Sequence, residues 1–115
     1  MADGTVCSSK IILIATGGRP FIPNFDGNQH AITSNEVFNL KNIPNRIVIL
    51  GGGYIASEFS GIFNGMGVNV TQIYRGETLL RGFDSDIREH VTNSMLKRGI
   101  DVRCKLELKK CEKVV

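Results

Sequence analysis

Three small residues, Gly51, Gly53 and Ala56, have the spacing G-x-G-x-x-A, which allows a backbone turn to hold a pyrophosphate. Gly51 would permit a tight turn, and Gly53 would let the backbone approach phosphate oxygens that a side chain would block. Ala56 would let a following helix pack closely on the preceding strand. The first N–H groups of that helix and the positive end of its dipole would then face the phosphates. The spacing therefore predicts dinucleotide binding, and a glycine-rich turn that binds nothing is the alternative.

Two arginines lie in the segment that follows, Arg75 and, six residues later, Arg81. In a unit that binds NAD, an acidic residue is expected about 20 residues after the glycines, where it accepts hydrogen bonds from the ribose hydroxyls. Tyr74 and Arg75 occupy this place instead. A carboxylate would repel a 2′-phosphate, whereas a guanidinium can bind it through two hydrogen bonds. The arginines and the missing acid predict NADPH in preference to NADH, with a solvated surface charge as the alternative for either arginine alone.

A strand, a helix and a second strand are predicted around these residues by hydrophobic periodicity. Residues 46–50 (RIVIL) indicate a buried strand, and residues 54–66 indicate a helix that ends near Gly67. Residues 68–74 alternate apolar and polar side chains, as a second strand does. This βαβ order is the context that a dinucleotide-binding turn requires. It predicts the α/β class, with a Rossmann-like three-layer domain in which helices cover a parallel sheet.

Further elements are predicted on both sides of this unit. An apolar run at 11–15, stopped by turn residues, indicates a buried strand, and Ser34 is expected to cap a short helix that continues to Leu40. The other expected elements are a third helix, capped by Asp84 or Ser85 and ending before Gly99, and strands at 100–104 and 106–108.

The composition is that of an ordinary globular domain, with 115 residues, 42% hydrophobic and 22% charged. The formal net charge is +3, and four lysines lie within the last eleven positions, so the rest of the chain is close to neutral. We therefore expect no nucleic-acid partner. The apolar runs are too short to span a bilayer, and the N-terminus lacks the pattern of a signal peptide. We expect no membrane association and a cytoplasmic location.

The three cysteines, Cys7, Cys104 and Cys111, are odd in number and include no CxxC pair. This pattern argues against a disulfide framework and against a structural zinc site. We therefore expect three reduced thiols and no bound metal.

Three runs occur in one order: IILIATGGRP at 11–20, GGGYIASEFSGIF at 51–63 and YRGETLLRGFD at 74–84. Together they resemble the central part of the glutathione reductase family of NADPH-dependent flavoprotein disulfide reductases, and the resemblance covers nearly the whole chain. It implies that residues 1–30 form the crossover segment from a flavin domain. It also implies that residues 31–115 form an NADPH-binding domain that is incomplete at its last strand.

The resemblance also implies roles for individual residues. Tyr54 matches a tyrosine that covers the flavin and moves aside when the nicotinamide arrives, and Ile55 matches its neighbour in the nicotinamide pocket. Glu58 matches a glutamate that pairs with a lysine of the flavin domain. Arg75 and Arg81 match the pair that holds the 2′-phosphate of NADPH. The alternatives are a solvated helix glutamate for Glu58 and, for Tyr54, an aromatic residue partly packed on the sheet.

Several parts of the family pattern are absent from these 115 residues: the FAD-binding G-x-G-x-x-G, the CxxxxC redox pair and the C-terminal His-Glu pair. The spacing of Cys104 and Cys111 does not replace the redox pair. We therefore expect a piece of a longer protein that, alone, binds no FAD and has no reductase activity. The resemblance implies that the full-length protein is a homodimer that uses NADPH and FAD to reduce glutathione disulfide. A trypanothione reductase, another NADPH-dependent flavoprotein reductase, a non-catalytic dinucleotide-binding module and a structural remnant are the alternatives.

Overall fold

A three-stranded parallel sheet forms the centre of the structure, a computed structural model that describes residues 3–114. The strands are β1 (Arg46–Leu50), β2 (Asn69–Ile73) and β3 (Asp101–Arg103), in the spatial order β1-β2-β3. Ile47 of β1 lies opposite Val70 of β2, and such apolar β-branched residues favour extended backbone that packs against a neighbouring layer. The predicted α/β class with a parallel sheet is confirmed.

Helices connect the strands. They are α1 (Ser34–Val37), α2 (Tyr54–Gly65) and α3 (Ser85–Lys97), and a single 3₁₀ turn lies at Asn28–His30. α2 connects β1 to β2, and α3 connects β2 to β3. Because both crossovers join neighbouring parallel strands in the same direction along the sheet, right-handed connections place both helices on one face. Gly67 and Gly99 follow the two helices with φ of 81° and 86°, the left-handed conformation that commonly ends a helix.

The core lies between these two helices and one face of the sheet. Phe63 of α2 and Met95 of α3 belong to one cluster of buried side chains with Val70 of β2. The opposite face is more open, and Val48 in the edge strand β1 is 59% exposed there. Within the described residues, loop segments rather than α-helices approach this face. The helical layer of the predicted Rossmann-like arrangement is therefore on one side only.

The prediction of a strand at 11–15 is wrong. Its four large apolar side chains are 73–86% exposed, and the backbone is coil. A strand requires hydrogen bonds to a neighbouring strand, and no residue within 3–114 supplies them at this place. The run has the composition of a buried strand, but no neighbouring strand within residues 3–114 pairs with it.

The short helix α1 is present with different bounds, since Thr33 rather than Ser34 caps it and it ends at Val37 instead of Leu40. Thr33 and Glu36 form a capping box, in which the Asn35 N–H donates to Thr33 Oγ1 at 3.2 Å and the Thr33 N–H donates to Glu36 Oε2 at 2.7 Å. Hydrogen bonds from the Thr33 hydroxyl and N–H hold the pKa of the Glu36 carboxyl below its usual range. The T-x-x-E spacing is the signal for this cap.

The third helix is confirmed with Asp84 as its cap, because the Asp86 N–H donates to Asp84 Oδ1 at 3.0 Å. A strand at 101–103 is also confirmed, whereas the strand expected at 106–108 is absent from the described structure, where an isolated bridge joins Asp26 and Lys110. The division at residue 30 stays a prediction, and residues 1, 2 and 115 at its limits lie outside the described residues. None of the helices in the described part of the chain could cross a lipid bilayer.

Candidate functional site

The turn at 51–53 joins the carboxyl end of β1 to α2, and hydrogen bonds fix it from two directions. The Gly51 N–H donates to the Ile73 carbonyl at 2.9 Å, and the Leu80 N–H donates to the Gly52 carbonyl at 2.6 Å. Gln72 Nε2 donates to the Gly51 carbonyl at 2.9 Å. The turn is therefore attached both to β2 and to the loop that follows β2. In an open parallel α/β sheet, this is the edge at which ligands bind.

The glycines of the turn differ in what surrounds them. Gly51 has φ of 149°, and a Cβ placed on it would lie 3.2 Å from the Cβ of Ala56, so the strand end and α2 approach closely there. A Cβ on Gly52 would overlap the ring of Tyr74. A Cβ on Gly53 would meet nothing within 4 Å. The space in front of Gly53 is thus open, as a backbone that receives a bulky ligand group requires.

The N-terminus of α2 has no side-chain cap, and Gly53 is its N-cap residue with φ of −86°. By contrast, Thr33 and Asp84 cap α1 and α3 through their side chains. The N–H groups in the first turn of a helix have no partners within the helix, so those of α2 are available to an anion. Tyr54 is 58% exposed and Ile55 46% exposed beside this end, and Glu58 is exposed one turn further on.

The loop after β2 carries the two arginines predicted to bind a phosphate. Arg75 and Arg81 are both exposed, and within residues 3–114 neither forms a hydrogen bond or an ion pair. Between them, Leu79 and Leu80 are buried in the core cluster, and Leu80 has φ of 56°. The middle of the loop is therefore anchored, while both guanidinium groups stay exposed to solvent.

Two side chains that the sequence analysis missed hold this loop. Arg88 of α3 donates through Nε to the Leu79 carbonyl at 2.8 Å, and its Nη2 contacts the Thr78 carbonyl at 3.1 Å and the Thr78 hydroxyl. Tyr74 fills the space that a side chain at Gly52 or at Gly76 would need. Gly52 and Gly76 were the sequence signals for the Tyr74 packing, and nothing in the sequence distinguished Arg88 from a solvated helix arginine.

A cavity of about 580 Å³ lies at the carboxyl ends of β1 and β2, within the size range of ligand pockets. Gly51 and Arg75 are the predicted site residues among those that line it, with Leu50 and Ile73 from the strands. Gly53, the start of α2 and Arg81 do not line it. Because Leu50 and Ile73 point to the face of the sheet away from α2, this cavity adjoins the candidate phosphate site at Gly51 and is not the same space. A second open cavity of about 600 Å³, beside Asp26 and Cys111, contains none of the predicted residues.

The cysteines are free thiols, with Cys7 exposed and Cys104 and Cys111 half-buried. Burial raises the pKa of the Cys104 thiol, so it is a weak nucleophile near neutral pH. No group of three or more potential metal ligands occurs in the part of the chain that the structure describes.

The chain matches a known protein family over nearly its whole length. The model of the family described as "Pyridine nucleotide-disulphide oxidoreductase" matches residues 2–114. The chain is 53% identical over 100 residues to glutathione reductase of Burkholderia cepacia, covering 87% of this chain and 22% of the relative. It is 45% identical over 108 residues to trypanothione reductase of Leishmania donovani, covering 91% of this chain and 22% of the relative. The chain spans about a fifth of the length of the curated relatives it matches.

Among solved structures, the chain is similar to the HOCl-induced flavoprotein disulfide reductase of Escherichia coli. The TM-score is 0.76 at 28% sequence identity, and the match covers 84% of this chain and 23% of that chain. The predicted Rossmann-like fold is thereby confirmed. The resemblance to the glutathione reductase family of flavoprotein disulfide reductases is confirmed as well.

Proposed function

Because the chain belongs to the pyridine nucleotide-disulphide oxidoreductase family, we propose that it is the NADPH-binding part of a glutathione reductase. The observation that carries this proposal is the uncapped N-terminus of α2, which lies behind a turn whose Gly53 opens onto free space. A pyrophosphate fits both features, since it needs backbone N–H donors and room for its oxygens. The groups that would bind the pyrophosphate, Gly53 and the first N–H groups of α2, therefore all belong to this chain.

In this proposal Gly51, Gly53 and Ala56 form the cradle for the pyrophosphate, and the first N–H groups of α2 donate to it. The contact between Gly51 and Ala56 supports the close approach of helix and strand that this cradle needs. By the resemblance to the family, Tyr54 would cover the flavin until the nicotinamide arrives, and Ile55 would lie in the nicotinamide pocket. Their partial exposure at the start of the helix is compatible with these roles. Glu58 would pair with a lysine of the flavin domain, and its exposed position in this chain supports such a role.

The choice of NADPH over NADH would depend on Arg75 and Arg81. Both guanidinium groups are free of protein partners within residues 3–114, so a 2′-phosphate would not have to displace an existing ion pair. Leu80, held to the Gly52 carbonyl, links the arginine loop to the phosphate turn. This link supports a single site that contacts the pyrophosphate and the 2′-phosphate together.

For the whole protein, NADPH would supply a hydride to FAD, and the two electrons would then pass through a cysteine pair to glutathione disulfide. FAD and the cysteine pair would belong to parts of the protein outside this chain. The contribution of this chain is to bind and orient the nucleotide. Residues 1–30 would form the crossover from the flavin domain, and residues 31–115 would form the NADPH-binding domain. We also propose that the whole protein is a cytoplasmic homodimer without nucleic-acid or membrane partners. Trypanothione reductase is the second candidate, which the 45% identity to the Leishmania donovani enzyme supports.

Flavin content and turnover test the proposal. We expect the full-length protein to bind FAD and to oxidise NADPH with glutathione disulfide faster than with trypanothione disulfide. The 115-residue chain alone should elute from gel filtration without flavin absorbance and should show no turnover, because the electron relay lies outside it. A higher rate with trypanothione disulfide would favour the second candidate, and a yellow or active chain would contradict the assignment.

A further inference from the structure

Gln72 is a fully buried glutamine in the central strand β2, and its neighbour Ser60 of α2 is fully buried too. Gln72 Nε2 donates to the Gly51 carbonyl at 2.9 Å and lies 3.4 Å from Ser57 Oγ. Gln72 Oε1 lies 2.9 Å from Ser60 Oγ, whose single proton it shares with the Ala56 carbonyl at 2.8 Å. No buried side-chain polar atom within residues 3–114 lacks a hydrogen-bond partner. This network joins the strand, the helix and the glycine turn.

The orientation of the Gln72 amide follows from its partners. The Gly51 carbonyl only accepts hydrogen bonds, so the NH₂ group must face it and the amide oxygen must face the Ser60 hydroxyl. An apolar residue would suit this position on the helix-facing side of the sheet, where Val70 of β2 and Val102 of β3 also lie. A glutamine there must have all its partners placed correctly, because an unpaired buried amide is destabilising. The orientation of the Gln72 amide is therefore determined by the Gly51 carbonyl of the turn and by Ser60 of α2.

We propose that Gln72 is a positioning residue for the pyrophosphate-binding turn, an inference that rests on the proposed function. Among residues 3–114, its amide supplies the one hydrogen bond to the Gly51 carbonyl. Because the Gly51–Gly52 peptide is planar and trans, fixing that carbonyl also fixes the direction of the Gly52 N–H. The two backbone hydrogen bonds at Gly51 N–H and at the Gly52 carbonyl leave this peptide plane free to tilt. Gln72 thus orders the turn before a ligand arrives, which lowers the cost of binding.

The test replaces Gln72 with methionine, which keeps the length of the side chain and removes the donor to the Gly51 carbonyl together with the acceptor for the Ser60 hydroxyl. Thr71→Val is the matched control, because Thr71 immediately precedes Gln72 in β2 and faces the other side of the sheet. Its side chain hydrogen-bonds only to Asp101. We expect Gln72→Met to weaken the binding of NADPH and of NADH by a similar factor of about three to ten. This is the range for the loss of one hydrogen bond. Both cofactors carry the pyrophosphate, so an equal loss locates the effect at the turn.

Hydrogen exchange supplies a readout that a merely structural role would not produce. In Gln72→Met the amides of Gly51 and Leu80 should exchange faster while the core amide of Val70 keeps its rate, whereas a general loss of stability would speed all three. If Gln72→Met fails to fold, Ser60→Ala removes the group that orients the amide oxygen, and a smaller change in the same direction is expected.

The outcomes separate this inference from the proposed function. Binding of neither cofactor by the unsubstituted chain would contradict the proposed function, and the exchange rates alone would then decide whether Gln72 orders the turn. Cofactor affinities and turn exchange rates equal to those of the unsubstituted chain would overturn the role of Gln72. So would a loss of affinity for NADPH alone, because it would place the effect at the 2′-phosphate.

Discussion

Replacing Arg75 and Arg81 together with alanine is expected to weaken NADPH binding by about 10- to 100-fold and to leave NADH binding nearly unchanged. Each guanidinium would donate charge-assisted hydrogen bonds to the 2′-phosphate, worth about 1.5–3 kcal/mol apiece before screening by solvent. Both side chains are exposed, so the upper part of that range is not reached. NADH has no phosphate at this place, and the preference between the two cofactors should therefore collapse. Titration calorimetry at low ionic strength measures both affinities.

A charge-matched double variant controls for the change in net charge. Arg46 begins β1 and Arg98 follows α3, so both lie at the edge of the sheet opposite the glycine turn. Arg46→Ala combined with Arg98→Ala removes the same charge and should keep the NADPH preference. Equal losses for NADH and NADPH in the Arg75 and Arg81 variant would mean that these arginines support the fold. An unchanged preference would mean that the 2′-phosphate binds elsewhere.

Replacing Gly53 with valine is expected to weaken the binding of NADPH and of NADH alike by at least about tenfold, equivalent to about 1.4 kcal/mol. The folding stability of the chain should change little. The φ of −86° at Gly53 suits any L-residue, and a Cβ there meets nothing within 4 Å, so the chain should still fold. The added side chain would instead occupy the space in which we place the pyrophosphate. Affinity for both cofactors and the melting temperature are the measurements.

Gly52→Ala is the matched control, since it adds a single methyl group one residue earlier. Its Cβ would overlap the Tyr74 ring, which is also confined by Gly76, so this variant should lose about 1–3 kcal/mol of folding stability through overpacking. Gly53→Val should thus change affinity far more than stability, whereas Gly52→Ala should lower the stability itself. A Gly53→Val variant that folds and keeps both affinities would show that the pyrophosphate lies away from the turn.

The elements around the glycine turn could be predicted from the sequence because their signals are local. The run RIVIL matches β1 at 46–50, and the helical periodicity after the glycines matches α2 to within one residue. Gly99 and Asp84 marked the ends of α3, since a left-handed glycine and a side-chain cap act within one turn of the backbone. In each case the residues that determine the element are part of it or adjacent to it.

Other features could not be predicted because they depend on residues distant in sequence. The apolar run at 11–15 indicates a strand, but pairing requires a partner, and residues 3–114 contain none for it. The polar residue at Gln72 fits the alternation of an exposed strand face, whereas the structure buries it against Ser60, twelve positions earlier. Arg88 and Thr78 are similarly ten positions apart. Periodicity describes which face a side chain takes, and it carries no information on specific partners across elements.

Titration of the unsubstituted 115-residue chain with NADPH and with NADH, at low ionic strength, tests most directly whether this chain is the NADPH-binding part of its family's enzyme. We predict saturable binding of one NADPH per chain and distinctly weaker binding of NADH, because the glycine turn serves both cofactors and the arginines serve only the first. The absence of a saturable signal with either cofactor, or an affinity for NADH equal to or above that for NADPH, would contradict the account.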